Sequence, residues 1–394
     1  MMTSIDRLHL VCVVGARPNF MKIAPIMRAF ADSDLIDAVL VHTGQHYDAA
    51  MMASFFAQLG IPAPDIDLEV GSGSHAVQTA DVMKRFEPVL DARAYDAVLV
   101  VGDVNSTIAC ALVAAKKGVP VIHVEAGLRS FDRSMPEEIN RILTDQLSEL
   151  LFITERSAAV NLEREGIARE RVRFVGNVMI DTLLRNRARC PRAVDVLSAV
   201  EGSARCFGAA GFGVVTLHRP ANVDAADRLG RIVGVLCEVA ADLPLVFAVH
   251  PRTQARLSEF GLLETAARGL LLVPPLPYLE LLSLVGAARV VLTDSGGLQE
   301  ETTALGVPCL TLRENTERPI TVDEGTNTVV GTNPALILGG VRAVLADGGK
   351  RGRVPELWDG RTAERIRDEL MVWAAGRRLL AAPSTEAPAL RGRS

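Results

Sequence analysis

The chain has 394 residues, of which 49% are hydrophobic and 23% are charged, a balance typical of globular proteins that are long enough for two domains. The formal net charge of −5 provides no general basic field, which argues against nucleic acid as a partner. The six cysteines have no C-x-x-C spacing and lie mostly in apolar runs. They indicate reduced core thiols in a cytoplasmic protein and no zinc site.

Two apolar stretches could be taken for export or membrane segments. Residues 8–14 follow Arg7, but the run is short, and the turn after it is typical of the functional loop of a first βα unit. Residues 269–292 are interrupted by three prolines and by Glu280. We therefore expect neither a signal sequence nor a membrane partner.

Short apolar runs with the composition of β-strands alternate with amphipathic helical runs along nearly the whole chain. The predicted strands span residues 8–14, 38–43, 97–101, 119–124, 150–154 and 172–175, and then 213–217, 244–249, 270–273, 289–293 and 308–312. This alternation predicts the α/β class, with parallel sheets covered by helices on both faces. Ligands of such sheets lie beyond the carboxyl ends of the strands, so two units are expected to face each other across a cleft.

The break between the two series of strands suggests the domain organisation. We predict a first domain over residues 1–175 and a second over residues 176–360, because a polar, arginine-rich and then glycine-rich stretch separates the two series. Residues 361–380 have helical periodicity and are expected to pack back on the first domain. Residues 381–394 are rich in Pro, Ala and Arg and are predicted to be a disordered tail.

The most informative local pattern is VLTDSGGLQEE, which starts at residue 291 as a strand and continues as a helix. Ser295, Gly296 and Gly297 fall at the helix start, where free N–H groups and the helix dipole favour a phosphate. A carboxylate accepts hydrogen bonds from a diol, so Glu301 is interpreted as a ribose ligand. Alternatively, Glu300 and Glu301 only complement the helix dipole.

Polar residues also follow the first two strands. Arg17 lies in the turn after the first strand and Lys22 follows it, so both could reach a phosphate on the opposite wall of the cleft. Gln45 and His46 lie at the end of the second strand. The second pair could also be a simple turn with a surface histidine. The first turn matches neither the G-x-G-x-x-G pattern nor a Walker loop, which gives no support for a nicotinamide dinucleotide or for ATP hydrolysis.

Three carboxyl groups are predicted to converge on the cleft. Asp103 and Glu125 end neighbouring strand runs, and Glu137 begins a helix on the same rim. Crowded like charges raise at least one pKa, which would supply both a general base and a general acid. His218 ends the first strand of the second series and would face this rim. The alternatives are that His218 is structural, as a lone histidine usually is, and that Asp103 only caps a helix.

A series of motifs in order from about residue 10 to residue 332 resembles the UDP-N-acetylglucosamine 2-epimerase family. The motifs are GARP at 15–18 with Lys22, TGQH at 43–46, GD at 102–103, HVEAGLR at 123–129, PEE at 136–138 with NR at 140–141, GN at 176–177 with Asp181, HR at 218–219, DSGG at 294–297 with QEE at 299–301, and TERP at 316–319. The resemblance implies a GT-B type fold of two Rossmann-like domains. It also implies a homodimer, a UDP-sugar bound between the domains, and no cofactor.

The resemblance further implies a mechanism and a set of roles. Family members invert C2 of the sugar by eliminating UDP to give 2-acetamidoglucal and then adding UDP back. Asp103, Glu125 and Glu137 would be the acid/base set, and His218 would steady the departing diphosphate. The substrate-binding positions implied by the family motifs are Arg17, Lys22, Gln45, His46, Ser295, Gly296, Gly297, Glu301 and Arg318.

Several positions depart from the usual pattern of non-hydrolysing bacterial members. Asn19 stands where Glu is common, and Val77 stands where members activated by a second UDP-N-acetylglucosamine carry Arg. These departures put the presence of an activator site in doubt. They also allow a modified substrate, such as a diacetamido sugar or its uronic acid. The motifs also allow a hydrolysing epimerase, a glycosyltransferase of the same fold or a non-catalytic UDP-sugar sensor.

Overall fold

The first half of the chain forms a parallel sheet of seven strands in the order β3-β2-β1-β4-β5-β6-β7. The computed structural model describes residues 7–44, 56, 58–209 and 211–381. The strands are β1 (Leu8–Val14), β2 (Ile36–His42), β3 (Ile66–Asp67), β4 (Ala97–Val101), β5 (Val121–Ala126), β6 (Leu150–Ile153) and β7 (Val172–Phe174). Every pairing between these strands is parallel.

Helices cover both faces of this first sheet. They are α1 (Arg17–Ala31), α2 (His75–Ala92), α3 (Asn105–Lys116), α4 (Pro136–Leu147), α5 (Arg156–Arg164) and α6 (Val178–Arg187), with a 3₁₀ turn at Arg169–Arg171. The next helix, α7 (Ala193–Ser198), and the 3₁₀ turn at Ser203–Phe207 pack with the second half of the chain, since Leu197 and Cys206 share a core cluster with Val214 and Val246. Alternate side chains of β1 show the two faces, since Leu10 packs in one core cluster and Val11 in another. Because both faces are covered, a central strand such as β4 is buried at every position.

The second half forms a parallel sheet of six strands in the order β10-β9-β8-β11-β12-β13. Its strands are β8 (Gly213–Thr216), β9 (Leu245–Ala248), β10 (Leu271–Val273), β11 (Val290–Thr293), β12 (Cys309–Thr311) and β13 (Asn327–Val329). Its helices are α8 (Pro220–Val223), α9 (Ala226–Asp242), α10 (Pro251–Glu259), α11 (Leu263–Gly269), α12 (Tyr278–Ala287), α13 (Gly296–Leu305), α14 (Pro319–Asp323) and α15 (Pro334–Asp347). The predicted α/β class with two parallel sheets is confirmed.

Two short strands are absent from the sequence prediction. The strand β3 has two residues and β13 has three, and β13 begins with the polar pair Asn327 and Thr328. Neither segment is long enough for a period-two pattern to be visible in the sequence. Both are edge strands, where pairing on one side is sufficient.

The last helix, α16 (Thr362–Ala381), packs against α1 and α6. Ile366 and Leu370 are fully buried in the same cluster as the first strand. The carboxylate of Asp181 on α6 accepts hydrogen bonds from the backbone N–H groups of Thr362 (3.1 Å) and Ala363 (2.7 Å) and so caps this helix. The domain boundaries remain predictions. Of the predicted tail at residues 381–394, Ala381 ends α16 and residues 382–394 lie outside the described residues.

A hydrogen bond from the Thr182 hydroxyl on α6 to the carbonyl oxygen of Met21 on α1, at 2.6 Å, fixes α6 against α1. Within the described ranges, no helix combines the length and the apolar character needed to cross a membrane.

Candidate active site

A buried ion cluster joins the two halves of the chain. The carboxylate of Glu125, at the end of β5, is 2.8 Å from the Lys22 ammonium nitrogen on α1. The same oxygen is 2.6 Å from an Arg318 guanidinium nitrogen, which belongs to the second half. Glu125 and Arg318 are both buried. The sequence-predicted residues Lys22, Glu125 and Arg318 are therefore in direct contact.

The backbone directs Glu125 into this cluster in an unusual way. Glu125 has a φ of 75°, a left-handed conformation that costs free energy for a residue with a side chain. The pairing of β5 with β6 shifts register between Val124 and Ala126, so Glu125 is the extra residue of a β-bulge. Bulges next to active sites redirect single side chains. Here the bulge aims the carboxylate at the second half of the chain.

Asp103, after β4, belongs to the same cluster. Its carboxylate is 2.6 Å from a guanidinium nitrogen of Arg141 on α4, and Arg141 is in turn 2.8 Å from Glu138. Burial disfavours the ionised form of Asp103, but the charges of Arg141, Lys22 and Arg318 outweigh it and lower its pKa. The same balance lowers the pKa of Glu125, where burial is opposed by Arg318 and Lys22.

Glu300 is a carboxyl group of this cluster with a raised pKa. The sequence analysis instead expects a raised pKa for at least one of Asp103, Glu125 and Glu137. Burial is the largest cause of the raised pKa of Glu300, and the nearby Glu125 adds to it. Glu300 accepts a hydrogen bond from the Asn177 amide at 2.9 Å and lies 3.0 Å from Arg318. The expectation of a raised pKa is wrong for Asp103 and Glu125 because cations surround both groups.

Glu137 occupies a more open position than the other two carboxylates. Its side chain is 37% exposed, against 1% for Glu125, and lies 3.5 Å from a guanidinium nitrogen of Arg219. Another nitrogen of Arg219 is 3.5 Å from Glu317. Since Arg219 follows β8, Glu137 also faces a cation from the second half.

His218 is oriented by a buried aspartate. Its Nδ1 is 2.9 Å from a carboxylate oxygen of Asp294, and its backbone N–H donates to the same carboxylate at 3.1 Å. Asp294 also accepts from the backbone N–H of Arg219 at 2.9 Å and from the Asn222 amide at 3.1 Å. With Nδ1 bound in this way, Nε2 is the ring nitrogen left for a ligand. In the sequence, Asp294 stands out only as part of the DSGG motif.

Ser295, Gly296 and Gly297 form the start of α13 as predicted. Ser295 is the N-cap residue, but its side chain makes no capping hydrogen bond. A Cβ added to Gly296 would lie 2.6 Å from a carboxylate oxygen of Glu317, whereas one added to Gly297 would lie 3.4 Å from Met179. Glycine is therefore favoured at 296 by the close approach of Glu317. The first N–H groups of a helix have no partner within the helix, which makes the start of α13 a candidate anion site.

Glu301 is buried on α13 and accepts a hydrogen bond from the Tyr278 hydroxyl at 3.1 Å. Sequence reasoning missed Tyr278, because nothing in its local pattern connects it to a residue more than twenty positions away.

Arg17 begins α1, at the carboxyl end of β1. The predicted residues Gln45 and His46 lie outside the described residues.

Four further residues of the site were not predicted: Arg141, Asp294, Glu300 and Glu317. Each lies within or beside a motif that the sequence displays, so the motif was the available signal. Across the described part of the chain, no group of three His, Cys, Asp or Glu residues is arranged to hold a metal ion.

Two parallel sheets, with a shared ion cluster beyond the carboxyl ends of their strands, define an α/β protein of the GT-B type that can hold a ligand between its halves. A family model described as UDP-N-acetylglucosamine 2-epimerase matches residues 28–371. The chain belongs to the UDP-N-acetylglucosamine 2-epimerase family, as its motifs predict.

Individual relatives agree with this membership. A Methanocaldococcus jannaschii protein named UDP-N-acetylglucosamine 2-epimerase is 41% identical over 91% of this chain and 98% of its own length. A Pseudomonas aeruginosa protein named UDP-2,3-diacetamido-2,3-dideoxy-D-glucuronate 2-epimerase is 40% identical over 86% of this chain and 92% of its own. The crystal structure of M. jannaschii UDP-GlcNAc 2-epimerase with UDP-GlcNAc and UDP superimposes with a TM-score of 0.84, at 40% identity, covering 92% of this chain and 99% of that one.

Proposed function

We propose that the protein interconverts UDP-N-acetylglucosamine and UDP-N-acetylmannosamine by inverting C2 of the sugar, without net hydrolysis to free sugar and UDP. The observation that carries the proposal is the Glu125 carboxylate held between Lys22 of the first half and Arg318 of the second, with Asp103 beside it. Cations and carboxylates from both halves are what a reaction that removes a proton and expels a diphosphate requires.

The chemistry proposed is an elimination followed by an addition. A carboxylate takes the C2 proton, the electrons of that bond form the C1–C2 double bond, and the C1–oxygen bond breaks as UDP leaves with its electron pair. UDP then adds back to C1 while a proton is delivered to the other face of C2. Asp103 and Glu125 support this role because their lowered pKa keeps both ionised and able to accept a proton.

The second half is proposed to hold UDP. The first turn of α13, with Ser295, Gly296 and Gly297, would bind the diphosphate through N–H groups and the helix dipole. Glu301, oriented by Tyr278, would accept from the ribose hydroxyls. His218 and Arg318 would offset the charge that develops as UDP leaves. A homodimer and a cytoplasmic location remain predictions from the sequence.

The decisive experiment is incubation with UDP-N-acetylglucosamine in deuterated water, with no sugar acceptor, followed by proton NMR. We expect UDP-N-acetylmannosamine and deuterium at C2. A hydrolysing enzyme would give free N-acetylmannosamine and UDP, and a glycosyltransferase would give little of either product. Saturable UDP binding without C2 exchange would identify a sensor and would overturn the proposal.

A modified UDP-sugar is the second candidate substrate. It is favoured by the 40% identity to the P. aeruginosa relative, which is named for a diacetamido-glucuronate. The same exchange assay with UDP-2,3-diacetamido-2,3-dideoxy-D-glucuronate compares the two. The larger kcat/KM identifies the preferred sugar.

A further inference from the structure

A fully buried carboxylate lies behind the ion cluster. Asp145, on α4, has no exposed surface. Its Oδ1 is 2.6 Å from Nδ1 of His123, and its Oδ2 is 3.0 Å from the backbone nitrogen of Gly127. The same Oδ2 is 2.7 Å from a guanidinium nitrogen of Arg129. Both oxygens of this carboxylate therefore have hydrogen-bond or ion-pair partners inside the protein.

Both ring nitrogens of His123 have partners inside the protein. Its Nε2 is 2.9 Å from the carbonyl oxygen of Gly102, and a carbonyl can only accept, so Nε2 carries a proton. The other ring nitrogen, Nδ1, faces Oδ1 of Asp145 at 2.6 Å. His123 therefore links the Asp145 side chain to the backbone carbonyl of Gly102.

The two backbone groups held by this arrangement flank the two cleft carboxylates. Gly102 immediately precedes Asp103, and Gly127 follows Glu125 by two residues. The φ angles of Gly102, Glu125 and Gly127 are 65°, 75° and 78°, so both turns use left-handed backbone. A residue with a side chain persists in that conformation only when its surroundings hold it there.

We infer that Asp145, acting directly on Gly127 and through His123 on Gly102, is the positioning residue that sets the turns carrying Asp103 and Glu125. This inference rests on the proposed function, in which both carboxylates transfer protons at C2. Asp145 is not one of the proposed catalytic residues, and its polar contacts are with His123, Gly127 and Arg129. Its effect is to keep two left-handed turns, from adjacent strands, at a fixed separation.

The test compares Asp145→Ala with Asp145→Asn. The alanine variant removes both connections, and we expect kcat to fall about 100-fold, the loss associated with misplacing catalytic groups by about 1 Å. In the asparagine variant the amide oxygen can still accept from Gly127 and Arg129. Its NH₂ can donate to His123 Nδ1 while Nε2–H keeps the Gly102 contact, so we expect kcat within about tenfold of the wild type.

Asp181→Ala is the matched control, because Asp181 is also a buried carboxylate that accepts from two backbone N–H groups, here at the start of α16. Both alanine variants should lose thermal stability, but only Asp145→Ala should lose kcat per folded molecule. UDP affinity, measured by calorimetry, should be unchanged in both, because the proposed UDP turn lies in the second half.

Equal kcat losses in Asp145→Ala and Asp181→Ala, or equal losses in the alanine and asparagine variants of Asp145, would overturn the inference. A wild-type protein that shows no C2 exchange would instead refute the proposed function. Should Asp145→Ala not fold, His123→Gln and His123→Asn replace it. Glutamine can place an N–H group near the Nε2 position, so it should retain more activity than asparagine, and the reverse order would contradict the positioning role.

Discussion

The two halves of the chain hold their charged groups at the cleft in opposite ways. The first half presents carboxylates, Asp103 and Glu125, which are paired with cations. The second half presents donors, namely the start of α13 and the imidazole of His218, which is tied to Asp294. A reaction that removes a proton from one carbon and a diphosphate from the next requires carboxylates and hydrogen-bond donors close enough to contact the same sugar ring.

Arg318 shows what decides the charge state of the buried carboxylates. It contacts both Glu125 and Glu300, yet the pKa of Glu125 is lowered and that of Glu300 is raised. Both groups are buried, but Glu125 has a second cation in Lys22, whereas the other partner of Glu300 is the neutral amide of Asn177. Since both groups are buried, the difference between their cation partners explains why the two pKa values move in opposite directions.

The largest expected effect comes from Asp103→Asn, which removes an ionised carboxylate from the first half only. We expect turnover and C2 exchange to fall by about 1,000-fold, within the range for loss of a general acid or base, while UDP affinity is nearly unchanged. Asp96→Asn is the control, because Asp96 precedes the same strand at its opposite end and is exposed. Exchange at the wild-type rate in Asp103→Asn would exclude the role given to this residue.

The next effect concerns Glu155, a buried carboxyl of the first half that follows β6. Its Oε1 accepts from Ser157, and its Oε2 has no hydrogen-bond partner among the residues that the structure describes. Burial is the main cause that raises the pKa of Glu155 from 4.5 to about 7. A raised carboxyl pKa lowers stability as pH rises, with no cost below about 4.5 and the full cost above about 7.

We therefore predict that Glu155→Gln is more stable than the wild type at pH 8 by about 3 kcal/mol, with a much smaller difference at pH 5. Urea unfolding at the two pH values measures this. Glu163→Gln, at an exposed position on α5 that is paired with Arg169, should show no such pH dependence. A pH-independent difference for Glu155→Gln would mean that the ionised form is stabilised by a partner.

The sequence predicts the fold and the ends of the strands because both depend on local patterns. Apolar periodicity locates most strands of both sheets, and the turn after β11 locates Ser295–Gly297 as a helix start. The contacts that make the site are between distant positions: Glu125 is 103 residues from Lys22 and 193 from Arg318. No local pattern encodes such pairs, the bulge that turns Glu125, or the contacts of Asp145 near the end of α4.

A smaller effect is expected on the UDP side from Gly296→Ala. The added methyl group would lie 2.6 Å from a Glu317 oxygen. Glu317 cannot simply move away, because it is 2.7 Å from Arg313 and 3.5 Å from Arg219. We expect UDP affinity to fall about tenfold, which corresponds to about 1.4 kcal/mol. Gly297→Ala, whose added methyl group would meet Met179 at 3.4 Å, should have a smaller effect, and the opposite order would contradict the steric role of Glu317.

The smallest effect is expected from Tyr278→Phe, which deletes one hydroxyl and leaves the ring that packs in the core. The lost hydrogen bond to Glu301 is worth about 1 kcal/mol, so the Kd of UDP should rise about fivefold while kcat hardly changes. Tyr95→Phe, at the opposite end of β4 from the cleft, is the matched control and should leave the Kd of UDP unchanged. If Tyr278→Phe lowered kcat and left UDP binding intact, Glu301 would act on the first-half chemistry, and the separation between a carboxylate side and a UDP side would not hold.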